Sequence, residues 1–174
     1  IIESNYAGNL GGGVYVGGGS NVQLIQNDIL DNGSTSCCGG VRISGSSNSV
    51  ISGNLIAENT AGTEVGGLGL ASSSGASLTN NIIDGNIGKL TDGGVRIDGS
   101  ANCVLERNVI VNNIVLDDEK NYFGGIRISD SNGTTLVGDP ESESYNEIHS
   151  NDGFQLVNQN TFNPNGSGDI DATY

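Results

Sequence analysis

Apolar residues along this chain fall in short alternating runs, not at helical spacing. The triplets VYV, VRI, LGL and VRI start at residues 14, 41, 68 and 95, each directly after a Gly-Gly pair ending at Gly13, Gly40, Gly67 or Gly94. A second column holds Leu24, Ile51, Leu78 and Leu105, and a third holds Ile29, Ile56, Ile83 and Ile110. Every column repeats at 27 residues. Alternation over a few residues, closed by Gly, Asn and Ser, marks strands and turns. No stretch sustains a period near 3.6 residues, so the expected fold is all-β.

A fixed period of this length is the signature of a solenoid. Three short strands per repeat, stacked in register at about 4.8 Å, give a parallel β-solenoid of about six coils. Residues 1–174 then form a single domain. The stacked Val, Ile and Leu columns face inward as its core, because no single coil buries its apolar face alone.

Asparagine brackets the third column in the phrases NDILDN, NLIAEN, NIIDGN and NVIVNN, starting at 27, 54, 81 and 108. Asparagine is a poor strand former and a good turn former. In stacked coils Asn5, Asn32, Asn59, Asn86 and Asn113 are expected to form one amide ladder along a turn, and Asn27, Asn54, Asn81, Asn108 and Asn146 a second. The spacing from Asn108 to Asn146 is 38, so 11 extra residues are inserted there. They are placed in polar, acidic loops at 114–123 and 138–145. A further coil follows, from GFQL to DIDATY.

The phrases NxIxxN and GGVRI at this spacing resemble the right-handed parallel β-helix repeat family, the broad pectate-lyase-like group, over the whole chain. The resemblance implies a right-handed coil. It leaves function open, since the family spans polysaccharide lyases and hydrolases, phage tailspikes, adhesins and surface-layer proteins. The hydrolase-like members' His-bearing and Arg-x-Lys motifs are missing, and no catalytic residue is assigned.

The chain opens and closes one residue out of phase with its own repeat. Two readings stand: a piece of a longer surface protein, or a subunit that self-associates end to end through its terminal coils. Uncapped strand edges invite such pairing, and a heterologous contact that does not close makes a filament.

Composition narrows the partners. Twenty acidic against six basic residues give a net charge of −14, which repels nucleic acid. No apolar run approaches the roughly 20 residues of a membrane span. Acidity, glycosylation sequons and family habit together point to an extracellular or cell-surface location. Asn132 and Asn165 begin sequons in loops and are candidate N-glycosylation sites, and Asn32 begins a third within a ladder.

Three cysteines are present. Cys103 matches Val22 and Ala76 in the repeat and is read as a buried small hydrophobe. Cys37 and Cys38 are adjacent, either as a vicinal disulfide or as free thiols. Arg42, Arg96 and Arg127 share the middle position of one strand column, beside Asp98 and Asp130. They are candidate contacts for an acidic glycan, against the plainer reading of weak surface ion pairs. Asp117, Asp118, Glu119, Asp139 and Glu141 leave one coil in two acidic loops and are a candidate Ca²⁺ site; no other cofactor is expected. His149, the sole histidine, stands outward with no obvious partner. The expected role is a non-enzymatic structural or adhesive scaffold, with a polysaccharide-binding or polysaccharide-degrading fragment as the alternative.

Overall fold

A computed structural model describes residues 1–117, 123–137 and 145–152, and the backbone of 156–159. All its strands pair in parallel, each with its equivalent one coil away, as in Ile29 with Ile56 and Ile56 with Ile83. Four sheets run along the stack, two of six strands and two of five. The first contains Ile2–Glu3, Asp28–Leu30, Leu55–Ala57, Ile82–Asp84, Val109–Val111 and Glu147–His149. The third contains Val14–Gly17, Val41–Ser44, Leu68–Ala71, Val95–Asp98, Ile126–Ser129 and Leu156–Gln159. The fourth contains Gln23–Ile25, Val50–Ser52, Ser77–Thr79, Val104–Glu106 and Thr135–Leu136. These three sheets are the three apolar columns of the sequence.

The second sheet adds a fourth strand to each coil: Tyr6–Ala7, Gly33–Ser34, Thr60–Ala61, Ile87–Gly88 and Ile114–Val115. Two residues are too few to show alternation, and their types differ from coil to coil. Periodicity therefore could not announce this strand.

Inward residues stack into one continuous core that includes Ile29, Ile56, Ile83 and Ile110 from the first sheet, and Ile43, Leu70, Ile97 and Ile128 from the third. All eight are wholly buried. Cys103 belongs to the same core, with its thiol donating to the Ser100 carbonyl at 3.1 Å.

The turns are held by the asparagines. The backbone N–H and side-chain Nδ2 of Asn59 both donate to Oδ1 of Asn86, at 3.0 and 2.9 Å. Nδ2 donates again to the carbonyl of Ile29, at 2.9 Å. The pattern repeats along both ladders and extends across the longer spacing from Asn108 to Asn146. Asn151 continues the other ladder by accepting from Asn113. A serine ladder runs between the third and fourth sheets, where the N–H of Ser46, Ser73 and Ser100 donates to Oγ of Ser73, Ser100 and Ser131.

Each ladder asparagine from Asn32 to Asn113 follows a residue in the left-handed region: Asp31, Glu58, Gly85 and Asn112 have φ between 51° and 62°. Such a φ costs an L-residue about 1–2 kcal/mol. Three hydrogen bonds per asparagine at about 1 kcal/mol each more than offset it.

Candidate functional site

The third sheet carries the arginine column, and its geometry comes from the segment just before each strand. Gly12, Gly39, Gly66 and Gly93 donate their N–H groups to the carbonyls of Cys38, Val65, Asp92 and Phe123. Cys38, Val65, Asp92 and Phe123 therefore form one stacked column, four residues ahead of Arg42, Gly69, Arg96 and Arg127. Each arginine folds back over its own coil's member of that column.

Arg127 lies over the Phe123 ring, with Cζ 5.1 Å from the centroid, in cation–π range. Arg96 reaches Asp92 at 3.8 Å, Asp98 at 3.4 Å and Glu64 of the neighbouring coil at 3.4 Å. Arg127 also reaches Asp92, at 3.5 Å. Arg42 points Nη1 at Cys37 Sγ, 3.3 Å away. The Arg96 and Arg127 side chains are only 17% and 15% exposed. They lie along the sheet and do not project from it.

Asp92 is the unexpected member. Its position belongs to an apolar column, yet it holds a carboxyl group with no exposed surface. Thr91 Oγ1 donates to Oδ2 at 2.9 Å, while Oδ1 has no hydrogen-bond partner. Burial pushes the Asp92 carboxyl up from its ordinary value, against the opposing pull of Arg127, Thr91 and Arg96. A lone Asp in TDGG carries no signal in sequence; only stacking places it between two arginines.

Asp98 accepts from Ser129 at 2.8 Å as well as pairing with Arg96. Asp130 stands apart, exposed in the turn beyond the strand with φ of 47°. Asn32 is buried in its ladder, and its Nδ2 donates to both Ile2 and Asn59. A glycan has no room on that amide in the folded chain. Asn132 is exposed in a turn, whereas Asn165 lies outside the described residues. Of the acidic loop residues only Asp117 is described; Asp118, Glu119, Asp139 and Glu141 lie outside. Among the described residues no group of three or more His, Cys, Asp or Glu is placed to hold a metal ion. His149 does have partners, contrary to expectation: Nε2 lies 3.9 Å from Glu147, and Nδ1 lies 3.0 Å from Ser150 Oγ.

One open depression of about 380 Å³ lies at the start of the first sheet's fifth strand, lined by Arg107, Asn108, Val109, Tyr145 and Glu147. Arg107 is engaged there by Glu106 at 2.8 Å and Asn80 at 3.1 Å.

Comparison with curated proteins and with solved structures gives no match. The family model described as the right-handed beta helix region matches residues 1–170. With the parallel register, the 27-residue rungs and the continuous ladders, that match identifies the chain as a member of the right-handed β-helix family.

Proposed function

We propose that this chain is part of an extracellular or cell-surface β-helix scaffold with a structural or adhesive role and no enzymatic one. The observation that carries this reading is the closure of the arginine column. Arg96 is paired with Glu64 and Asp98, Arg127 is laid over the Phe123 ring beside Asp92, and Arg42 is turned onto the two cysteines. A site for an acidic glycan would need guanidinium groups free to form paired hydrogen bonds with it. Among the described residues, the one carboxyl with a raised pKa, that of Asp92, is buried beyond the reach of a substrate. What remains is a rod whose buried groups serve its own stacking, with a net charge of −14 that favours solubility.

End-to-end self-association belongs to this reading. A rung in register continues the ladders whether it comes from the same chain or from a second copy. Electron microscopy of the native material tests it. Filaments with an axial repeat near ~29 Å, six rungs at strand spacing, are the expected result for stacked copies. Isolated rods of greater length point to one longer chain, and globular particles would overturn the scaffold reading.

The alternative, polysaccharide binding, draws on the open depression beside Tyr145, which keeps 39% of its surface. An exposed ring beside Arg107 and Glu147 suits a sugar face. A glycan-array signal that disappears in Tyr145→Ala would favour it over a bare scaffold.

A further inference from the structure

The two adjacent cysteines occupy a place that the surrounding residues are shaped to make. Their Sγ atoms are 2.6 Å apart, and both residues are buried: 2% of Cys37 is exposed and 0% of Cys38. Cys38 holds φ at 63°, a left-handed conformation that aims its side chain back at its neighbour's. One coil along, the arginine column is interrupted by Gly69. A Cβ at that position would lie 2.4 Å from Cys38 Sγ and 3.3 Å from Arg42 Nη1. The missing side chain is the space that the sulfur and the guanidinium share. Arg42 Nη1 then sits 3.3 Å from one sulfur and 4.0 Å from the other. Glu64, which stands one rung from Cys37, is the acidic neighbour.

We propose that Cys37 and Cys38 are a peroxide-reactive dithiol site, in which Cys37 is the attacking thiolate, Arg42 positions it, and Cys38 is the resolving thiol. The Cys37 thiolate attacks one oxygen of hydrogen peroxide, forming Cys37 sulfenic acid and releasing hydroxide. Cys38 Sγ then attacks Cys37 Sγ, the S–O bond breaks, and the hydroxyl leaves with the Cys38 proton as water. The released hydroxide takes up the proton that Cys37 had lost, so the sum is a dithiol plus peroxide giving a disulfide plus two waters. Two electrons pass from the sulfurs to the peroxide oxygens.

The division of labour follows from the surroundings. The Cys37 thiol is drawn below its ordinary value by the hydrogen bond from Cys38, with Arg42 adding to this against the effect of burial. Burial and the neighbouring Cys37 push the Cys38 thiol well up. Cys37 is also the less buried of the two, 2% exposed against 0% for Cys38. The product is a strained bond. Adjacent Cα atoms stand about 3.8 Å apart, below the roughly 4.4–6.8 Å span of ordinary disulfides, so reduction by a small thiol reverses it.

The test uses the whole reduced chain and one equivalent of hydrogen peroxide, read by intact mass and by peptide mapping after alkylation in denaturant. The expected result is loss of two hydrogens, with Cys37 and Cys38 protected from alkylation, Cys103 still alkylated, and full reversal by a small dithiol. In Cys38→Ser the expected product is a dimedone adduct at Cys37. Arg42→Gln is expected to slow oxidation severalfold, because the Cys37 thiolate loses the guanidinium beside it, with the far-ultraviolet spectrum unchanged. Gly69→Ala, whose methyl group displaces Cys38 Sγ, is expected to stop oxidation at the sulfenic acid. No mass change in the wild-type chain, oxidation at Cys103 in place of the pair, or disulfides between chains would each overturn the site. An unchanged rate in Arg42→Gln would remove Arg42 from it.

Discussion

Asn86 Oδ1 accepts two hydrogen bonds from Asn59, one from its backbone N–H at 3.0 Å and one from Nδ2 at 2.9 Å, with both residues fully buried. One side-chain atom therefore satisfies a turn's backbone and the next amide together. Asn86→Ala removes this acceptor and leaves the Asn59 N–H without its partner in a dry environment. The expected loss is about 2–4 kcal/mol, the cost of orphaning buried polar groups. Urea denaturation measures it. Asn5→Ala, at an exposed rung, is expected to lose about 1 kcal/mol or less, and equal losses at the two positions would show that burial is not what gives the ladder its strength.

Gly67 passes so close over the next coil that an added Cβ would lie 2.5 Å from the carbonyl oxygen of Gly94 and 3.1 Å from Asn86 Nδ2. Both neighbours are fixed by the ladder and the sheet. Gly67→Ala therefore has to push adjacent rungs apart, at an expected cost of about 3 kcal/mol. A thermal melt of Gly67→Ala that matches wild type would mean the rungs yield easily. The repeated Gly-Gly in the sequence is thus a record of backbone passing over ladder.

Glu58 is held at φ of 57° ahead of Asn59, a conformation glycine adopts without penalty. The equivalent position one coil on is already Gly85, with φ of 62°. Glu58→Gly relieves about 1–2 kcal/mol of backbone strain and gives back about 0.5–1 in unfolded-state entropy. A net gain of about 0.5–1 kcal/mol in chemical denaturation is the expected outcome. Destabilisation by the same amount would show that the Glu58 side chain supports the turn.

How far the sequence could be read depended on whether a residue's role was local or arose from stacking. The 27-residue rungs, the sheets around Ile56, Leu70 and Leu78, and the asparagine ladders were legible because each coil repeats them with the same residue type. Tyr6–Ala7 and its equivalents keep no residue type constant from coil to coil, so that strand was hidden. The serine ladder was hidden in turns already rich in serine. Arg42, Arg96 and Arg127 align in the sequence at the middle of one strand column, but what each folds onto was hidden, since Cys37, Asp92 and Phe123 lie four or five residues upstream in a different segment of the coil.

Asp92 offers the sharpest contest between two electrostatic effects. Breaking a buried ion pair usually costs about 3–5 kcal/mol, which would make Asp92→Asn severely destabilising. Here the two guanidinium contacts are long, 3.8 and 3.5 Å, and Oδ1 is buried with no hydrogen-bond partner. Desolvation is the larger effect, and the carboxyl is pushed up from its ordinary value of 3.8. The folded chain thus holds this proton more tightly than the unfolded chain. Its contribution to stability is complete below 3.8 and is lost as pH rises through the higher folded-state value. Asp92→Asn keeps the shape of the neutral acid and removes the titration. The urea midpoint of wild type, corrected by that of the variant, is therefore expected to fall as pH rises, leaving the variant at least as stable at neutral pH. A variant that loses several kcal/mol at neutral pH, with the gap to wild type closing as pH falls, would instead mean that Arg96 and Arg127 hold Asp92 charged.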